Sequence, residues 1–139
     1  MEKIKVLLVD DNEMIRIFFR DVFWLHGLDE RFDLAVADGL ESARKILSDP
    51  QAKPRIAFLD LVMPMEKNGS KITTAEAGLS LLKEIKSKPE LKDIRVVIFS
   101  GHTDKDAIEE AKRAGADMYL AKEEHLPQDL VKVIDGMVK

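Results

Sequence analysis

Five times along this chain a short apolar run is followed by a stretch with helical apolar spacing, and this alternation restricts the fold more than any other feature. The runs are Ile4–Val9, Phe32–Ala37, Arg55–Asp60, Ile94–Ser100 and Met118–Ala121, of strand length. The helical stretches are Glu13–His26, closed by Gly27; Leu40–Leu47, stopped near Asp49-Pro50; and Gly78–Ser87, with Leu79, Leu82 and Ile85 on one face. Asp104–Arg113 follows, with Thr103 as N-cap and Gly115 beyond its end, and then Gln128–Val138 with Pro127 in its first turn. Strict β-α alternation predicts an α/β fold: a doubly wound, five-stranded parallel sheet with helices on both faces. There is no repeat, no low-complexity tract and no linker, so 1–139 is expected to be a single domain.

Composition narrows the function. The 26 acidic and 22 basic side chains leave a formal charge of −4, which argues against a broad nucleic-acid or anionic-membrane footprint. With no cysteine, disulfides, thiolate zinc sites and cysteine nucleophiles are excluded. No apolar stretch reaches the ~20 residues of a membrane span. The start, MEKIKVLLVDD, runs into acids too soon for a signal peptide, so a cytoplasmic location is the expectation.

In an open parallel sheet the site lies outside the carboxyl ends of the strands, where strand order reverses. Those ends can be read off. The first strand ends in Asp10-Asp11, the third in Asp60, the fourth in Ser100 and the fifth in Lys122. Three carboxylates held together repel one another unless neutralised, and a hard divalent cation such as Mg²⁺ does this with oxygen ligands. An aspartate beside such a cation can attack a phosphoryl group, with the lysine and the hydroxyl holding the phosphoryl oxygens. Neither a Walker A loop nor GxGxxG is present to cradle a nucleotide. Each residue also has a bland reading alone: Asp10-Asp11 as a helix-start region, Tyr119 as a packing aromatic, Lys122 as a solvated lysine. His26, His102 and His125 are scattered, and all three are expected at the surface rather than on a metal.

The segments LLVDDNE, FLDLVMP, VVIFSG and GADMYLAK, in this order and each at a strand end, resemble the receiver domain of two-component response regulators over essentially the whole chain. The resemblance implies the flavodoxin-like receiver fold. It implies that Asp60 accepts a phosphoryl group from a phosphohistidine on a histidine kinase or histidine phosphotransfer protein. Asp11, Asp60 and the Val62 carbonyl would ligate Mg²⁺, with Asp10 acting through water. Ser100 would be the switch hydroxyl, Tyr119 the switch aromatic and Lys122 the amine that contacts the phosphoryl group. Such a domain is no enzyme beyond its own phosphorylation and dephosphorylation, and signals to a downstream protein target or output domain. No output domain follows Lys139, so the expectation is action through protein contacts, homodimerisation included, or a receiver cut from a longer regulator. Rival readings are a pseudo-receiver that binds partners without phosphorylation, and a Mg²⁺-dependent phosphatase, whose usual Asp-x-Asp the adjacent Asp10-Asp11 does not match. A flavodoxin-like cofactor carrier is excluded by acids where a phosphate needs donors.

Two departures from the family stand out. Between Met63-Pro64 and Gly78, the best candidate for the family's glycine at the third helix, lies an insertion at about 65–77. It contains the turn signal Asn68-Gly69 and a potential capping box at Thr73 and Glu76. Its passive reading is a tolerated loop; its functional reading is a lid or partner-selecting element. The second departure is Glu123-Glu124 after Lys122, where the family has proline. On the first helix, Ile15, Phe18, Phe19, Val22 and Phe23 share an arc expected to face the sheet, leaving Ile17 and Trp24 outward.

Overall fold

Along β1 (Ile4–Val9) alternate side chains enter two different cores: Val6 and Leu8 pack on one side of the sheet, Leu7 and Val9 on the other. That two-sided burial is the reason Val6–Val9 is an unbroken apolar run rather than alternating with polar residues. The computed structural model describes residues 3–101, 105–122 and 127–137.

After β1 the elements are α1 (Glu13–Leu25), β2 (Phe32–Ala37), α2 (Leu40–Leu47) and β3 (Ile56–Leu59). Then come β4 (Met63–Lys67), β5 (Ser70–Thr74), α3 (Ala75–Ser87), β6 (Arg95–Ser100), α4 (Lys105–Arg113), β7 (Met118–Ala121) and α5 (Pro127–Met137). Five strands form one parallel sheet in the order β2-β1-β3-β6-β7, as the alternation implied. The chain moves outward from β1 to β2 and then returns to place β3 on the other side of β1. The order therefore reverses beside β1, and a crevice opens above β1 and β3.

Helices α1 and α5 cover one face. Phe19 of α1 meets Phe58 and Phe99 of the sheet edge-to-face, with ring centroids 5.1 and 5.3 Å apart. Helices α2, α3 and α4 cover the other face, but unequally. From α3, six residues are buried; α4 buries only Ala107 and Ala111. Helix α4 is joined to α3 by a Lys83–Glu110 ion pair of 2.9 Å.

Between β3 and α3 the structure departs from the simple alternation. Strands β4 and β5 form an antiparallel hairpin pairing Met63 with Thr74 and Lys67 with Ser70. Asn68 (φ 52°) and Gly69 (φ 79°) make its two-residue turn. Positive φ at both positions is what a primed hairpin turn demands, and Asn-Gly supplies it. The potential capping box is corrected here. Thr73 is a strand residue paired with Pro64; the N-cap of α3 is Thr74, whose side chain accepts the Glu76 N–H at 3.2 Å. Helix α3 accordingly begins at Ala75, a turn before Gly78.

Gly78 has a steric reason to lack a side chain. Its N–H donates to the Leu61 carbonyl at 2.9 Å, and a Cβ there would collide with the backbone of Asp60 and Leu61. The first turn of α3 therefore lies directly on the segment that carries Asp60.

Candidate functional site

The sheet is extended past its last rungs by single bonds that fix the acids. Asp10 N–H donates to the Ala37 carbonyl at 3.0 Å, and Asp60 N–H to the Val9 carbonyl at 3.0 Å. Both side chains are buried, whereas Asp11 is exposed. One carboxylate oxygen from each of Asp10, Asp11 and Asp60 lies within 4.8 Å of the others.

The β1–α1 loop is tied down by residues that sequence reasoning passed over. Asp10 Oδ1 accepts the Asn12 N–H at 2.9 Å, and Asn12 Oδ1 in turn caps α1 by accepting the Met14 N–H at 2.9 Å. Arg16, one turn into α1, donates from Nη1 to the Asp10 carbonyl at 2.9 Å. An Asp-Asp-Asn run before a helix was the available signal for the cap. The long-range Arg16 contact leaves no mark in the sequence.

The other side of the crevice comes from β6 and β7. Ser100, buried at the end of β6, donates its hydroxyl to Asp60 Oδ1 at 2.8 Å. Lys122, immediately beyond β7, places Nζ 3.4 Å from Asp60 Oδ2 and 2.6 Å from Asp10 Oδ2. Despite that proximity Asp10 Oδ2 accepts no properly directed hydrogen bond and is shut away from solvent. Burial raises the Asp60 pKa above its ordinary value, Lys122 opposes this, Asp10 adds to the rise, and the Ser100 hydroxyl lowers it. Of the remaining expected site residues, Val62 is partly buried two positions after Asp60. Tyr119 is partly buried on β7, packed against the α2–α4 side. His26 is exposed, as expected, while His102, His125 and Glu123-Glu124 lie outside the described residues.

Among the described residues, three carboxylates share one ammonium, which leaves the crevice short of positive charge. A hard divalent cation with oxygen ligands meets that deficit, so the donor set fits such an ion.

Comparison with known proteins agrees with this geometry. The chain is 29% identical over 135 residues to Sporulation initiation phosphotransferase F of Bacillus subtilis, covering 97% of this chain and 91% of that protein. It is 31% identical over 120 residues to the DNA-binding transcriptional activator DevR/DosR of Mycobacterium tuberculosis. There it covers 86% of this chain but spans only 48% of the relative. Among solved structures, the signal receiver domain of a DNA-binding response regulator from Colwellia psychrerythraea superposes with a TM-score of 0.78 at 23% identity over 98% of both chains. The Mn²⁺-bound form of response regulator Rcp1 gives 0.70 at 24% identity, over 96% of this chain and 90% of that one. The family model for the response regulator receiver domain matches residues 6–135. With its five-stranded sheet and acid crevice both in place, the chain belongs to the response regulator receiver domain family of two-component systems.

Proposed function

We propose that this domain takes a phosphoryl group from a phosphohistidine donor, a histidine kinase or histidine phosphotransfer protein, onto Asp60. The observation that carries the reading is the contact set of Asp60: one oxygen on the Ser100 hydroxyl, the other beside Lys122, and two further acids next to it. In the transfer, the bond from Asp60 oxygen to phosphorus forms as the imidazole–phosphorus bond breaks. The imidazole leaves with the bonding pair, neutral because its other nitrogen carries a proton. Asp11, Asp60 and the Val62 carbonyl would hold Mg²⁺ directly, with Asp10 behind them; the bound ion supplies charge neutralisation for acceptor and phosphoryl oxygens. Lys122 and Ser100, both now on Asp60, turn to the phosphoryl oxygens once the carboxylate becomes an acyl phosphate.

The output follows from what those two residues are attached to. Ser100 ends β6 and Lys122 follows β7, so their movement reaches the β6–β7 edge, Tyr119 and the lightly anchored α4. The result is a shift between two surface states read by a downstream protein target or output domain.

The test is incubation with Mg²⁺ and phosphoramidate, followed by intact mass. One added phosphate is expected, lost with chelator and absent from Asp60→Asn. A protein that never gains phosphate, with its crevice intact, would instead be a binding module that works without phosphorylation.

A further inference from the structure

The hairpin β4–β5 begins three residues after Asp60 and has no part in the chemistry above. Every residue from Glu66 to Thr73 is exposed, and each strand has five residues, a length of ~17 Å. It does not lie flat on the domain. A groove of about 840 Å³ separates its Pro64, Glu66 and Lys71 from Glu41 and Lys45 of α2. Its base is held by fully buried Met63, and near the primed turn Lys67 reaches back to Glu76 of α3 at 2.9 Å. The hairpin therefore stands as a wall on the α2–α3 side of the crevice. On the opposite side of the sheet, α1 starts with exposed Met14 and Ile17.

Asp60 sits between these two flanks and is itself recessed. A phosphohistidine reaches only one imidazole's length beyond its own backbone. A protein that delivers phosphate to Asp60 brings its surface over the crevice that α1 and the hairpin flank, whereas a small phosphodonor touches neither.

We propose that the β4–β5 hairpin is a steric selector among protein phosphodonors: it admits those whose surface beside the phosphohistidine accommodates the wall and rejects the rest. The proposal rests on the phosphoacceptor reading of Asp60. Rejection by shape is the physically economical way to separate donors that all carry the same reactive group.

The register provides the variant. Deleting Glu66, Lys67, Ser70 and Lys71 joins Met65 and Ile72, a cross-strand pair, through the same Asn68-Gly69 turn, and every remaining side chain keeps its face. This shortened domain, the wild type, and a version lengthened by one Thr-Lys pair per strand would each be phosphorylated by phosphoramidate. Each would then be tested with a panel of purified histidine phosphotransfer domains and kinase cores phosphorylated beforehand on histidine. With phosphoramidate all versions should agree within about twofold. With protein donors, those the wild type uses poorly should speed up by about tenfold or more on the shortened domain, and those it uses well should slow on the lengthened one. If protein-donor rates keep the same ratios in all versions, the selector assignment is wrong. If one variant fails to fold, the other decides by the same ratios. If the wild type takes no phosphate even from phosphoramidate, the phosphoacceptor reading itself fails and the selector with it.

Discussion

Two lysine–aspartate sites lie at opposite ends of the same strands, and they are built differently. At the amino end of β6 and β7, Lys86 places Nζ 2.7 Å from the Ile94 carbonyl and 3.2 Å from Asp117 Oδ2. The same Asp117 oxygen accepts the Val96 N–H at 2.8 Å. One acid meets one base, and each has backbone partners. At the carboxyl end one lysine, Lys122, serves two buried acids, Asp10 and Asp60, with Asp11 beside them. The first arrangement is complete and does one thing, tying α3 to the start of β6 and to the α4–β7 loop. The second is short of positive charge, and under the proposed function a cation and a phosphoryl group would complete it.

The largest contrast should appear when each lysine is removed. Lys122→Met is expected to slow phosphorylation from phosphoramidate by about a hundredfold, the scale of losing one well-placed oxyanion donor, and to lower the melting temperature as well, because buried Asp10 and Asp60 lose their cation. Lys86→Met should cost stability alone: about 2 kcal/mol in urea, with phosphorylation kept, because a partly buried carboxylate loses its cation while the crevice is untouched. If Lys86→Met abolishes phosphorylation in folded protein, the two ends are coupled and the division of labour is wrong.

A smaller effect separates the acids. At tenfold its Kd a cation that binds only the folded state stabilises by about 1.4 kcal/mol, so Mg²⁺ should raise the melting temperature of the wild type. Asp11→Ala should lose more of that rise than Asp10→Ala, since Asp10 is engaged with Lys122. Equal losses would place Asp10 in direct contact with the ion. Without metal, Asp60→Asn should be more stable than wild type at neutral pH. Burial holds the Asp60 pKa above 3.8, so its charged form disfavours the fold and its protonated form does not. The gain from asparagine is therefore present at neutral pH and fades as pH falls through the raised pKa. A gain that persists in acid would point to packing instead.

The smallest expected change in stability comes from α1. Trp24 is 70% exposed and Ile17 41%, so the double variant Ile17→Ser, Trp24→Ser should stay within about 0.5 kcal/mol of wild type. Transfer from protein donors or self-association should weaken while phosphoramidate still works. Unfolding of that variant would return both residues to the core.

The sequence carried the sheet because apolar runs buried on both faces are long-lived local signals, and it carried the crevice because strand ends in such a sheet converge. Asp10, Asp11, Asp60, Ser100 and Lys122 could be placed on one edge before any coordinates. The outward Ile17 and Trp24 followed from helical spacing alone. The hairpin was harder. Asn68-Gly69 was seen as a turn, but only Met65 and Ile72 alternate with charged residues beside it, too little to mark two strands. Thr73 was preferred to Thr74 as a cap because a capping-box pattern ignores a strand that claims the earlier threonine. Lys86 and Asp117, thirty-one positions apart, carry no local trace of their pairing. The expected N-cap at Thr103 and the His102 position lie outside the described residues.

The contact between Gly78 and Leu61 has one more consequence. Because that hydrogen bond closes the chain at the base of the hairpin, residues 62–77 form an excursion that starts and ends at the same place in the body. Its length can change by whole rungs at a cost that grows only slowly, without displacing Asp60. The Asn68-Gly69 turn is thus a port on the domain: a position where foreign peptide can be spliced in, and where a lineage can elongate or trim the chain while the chemistry beneath stays put.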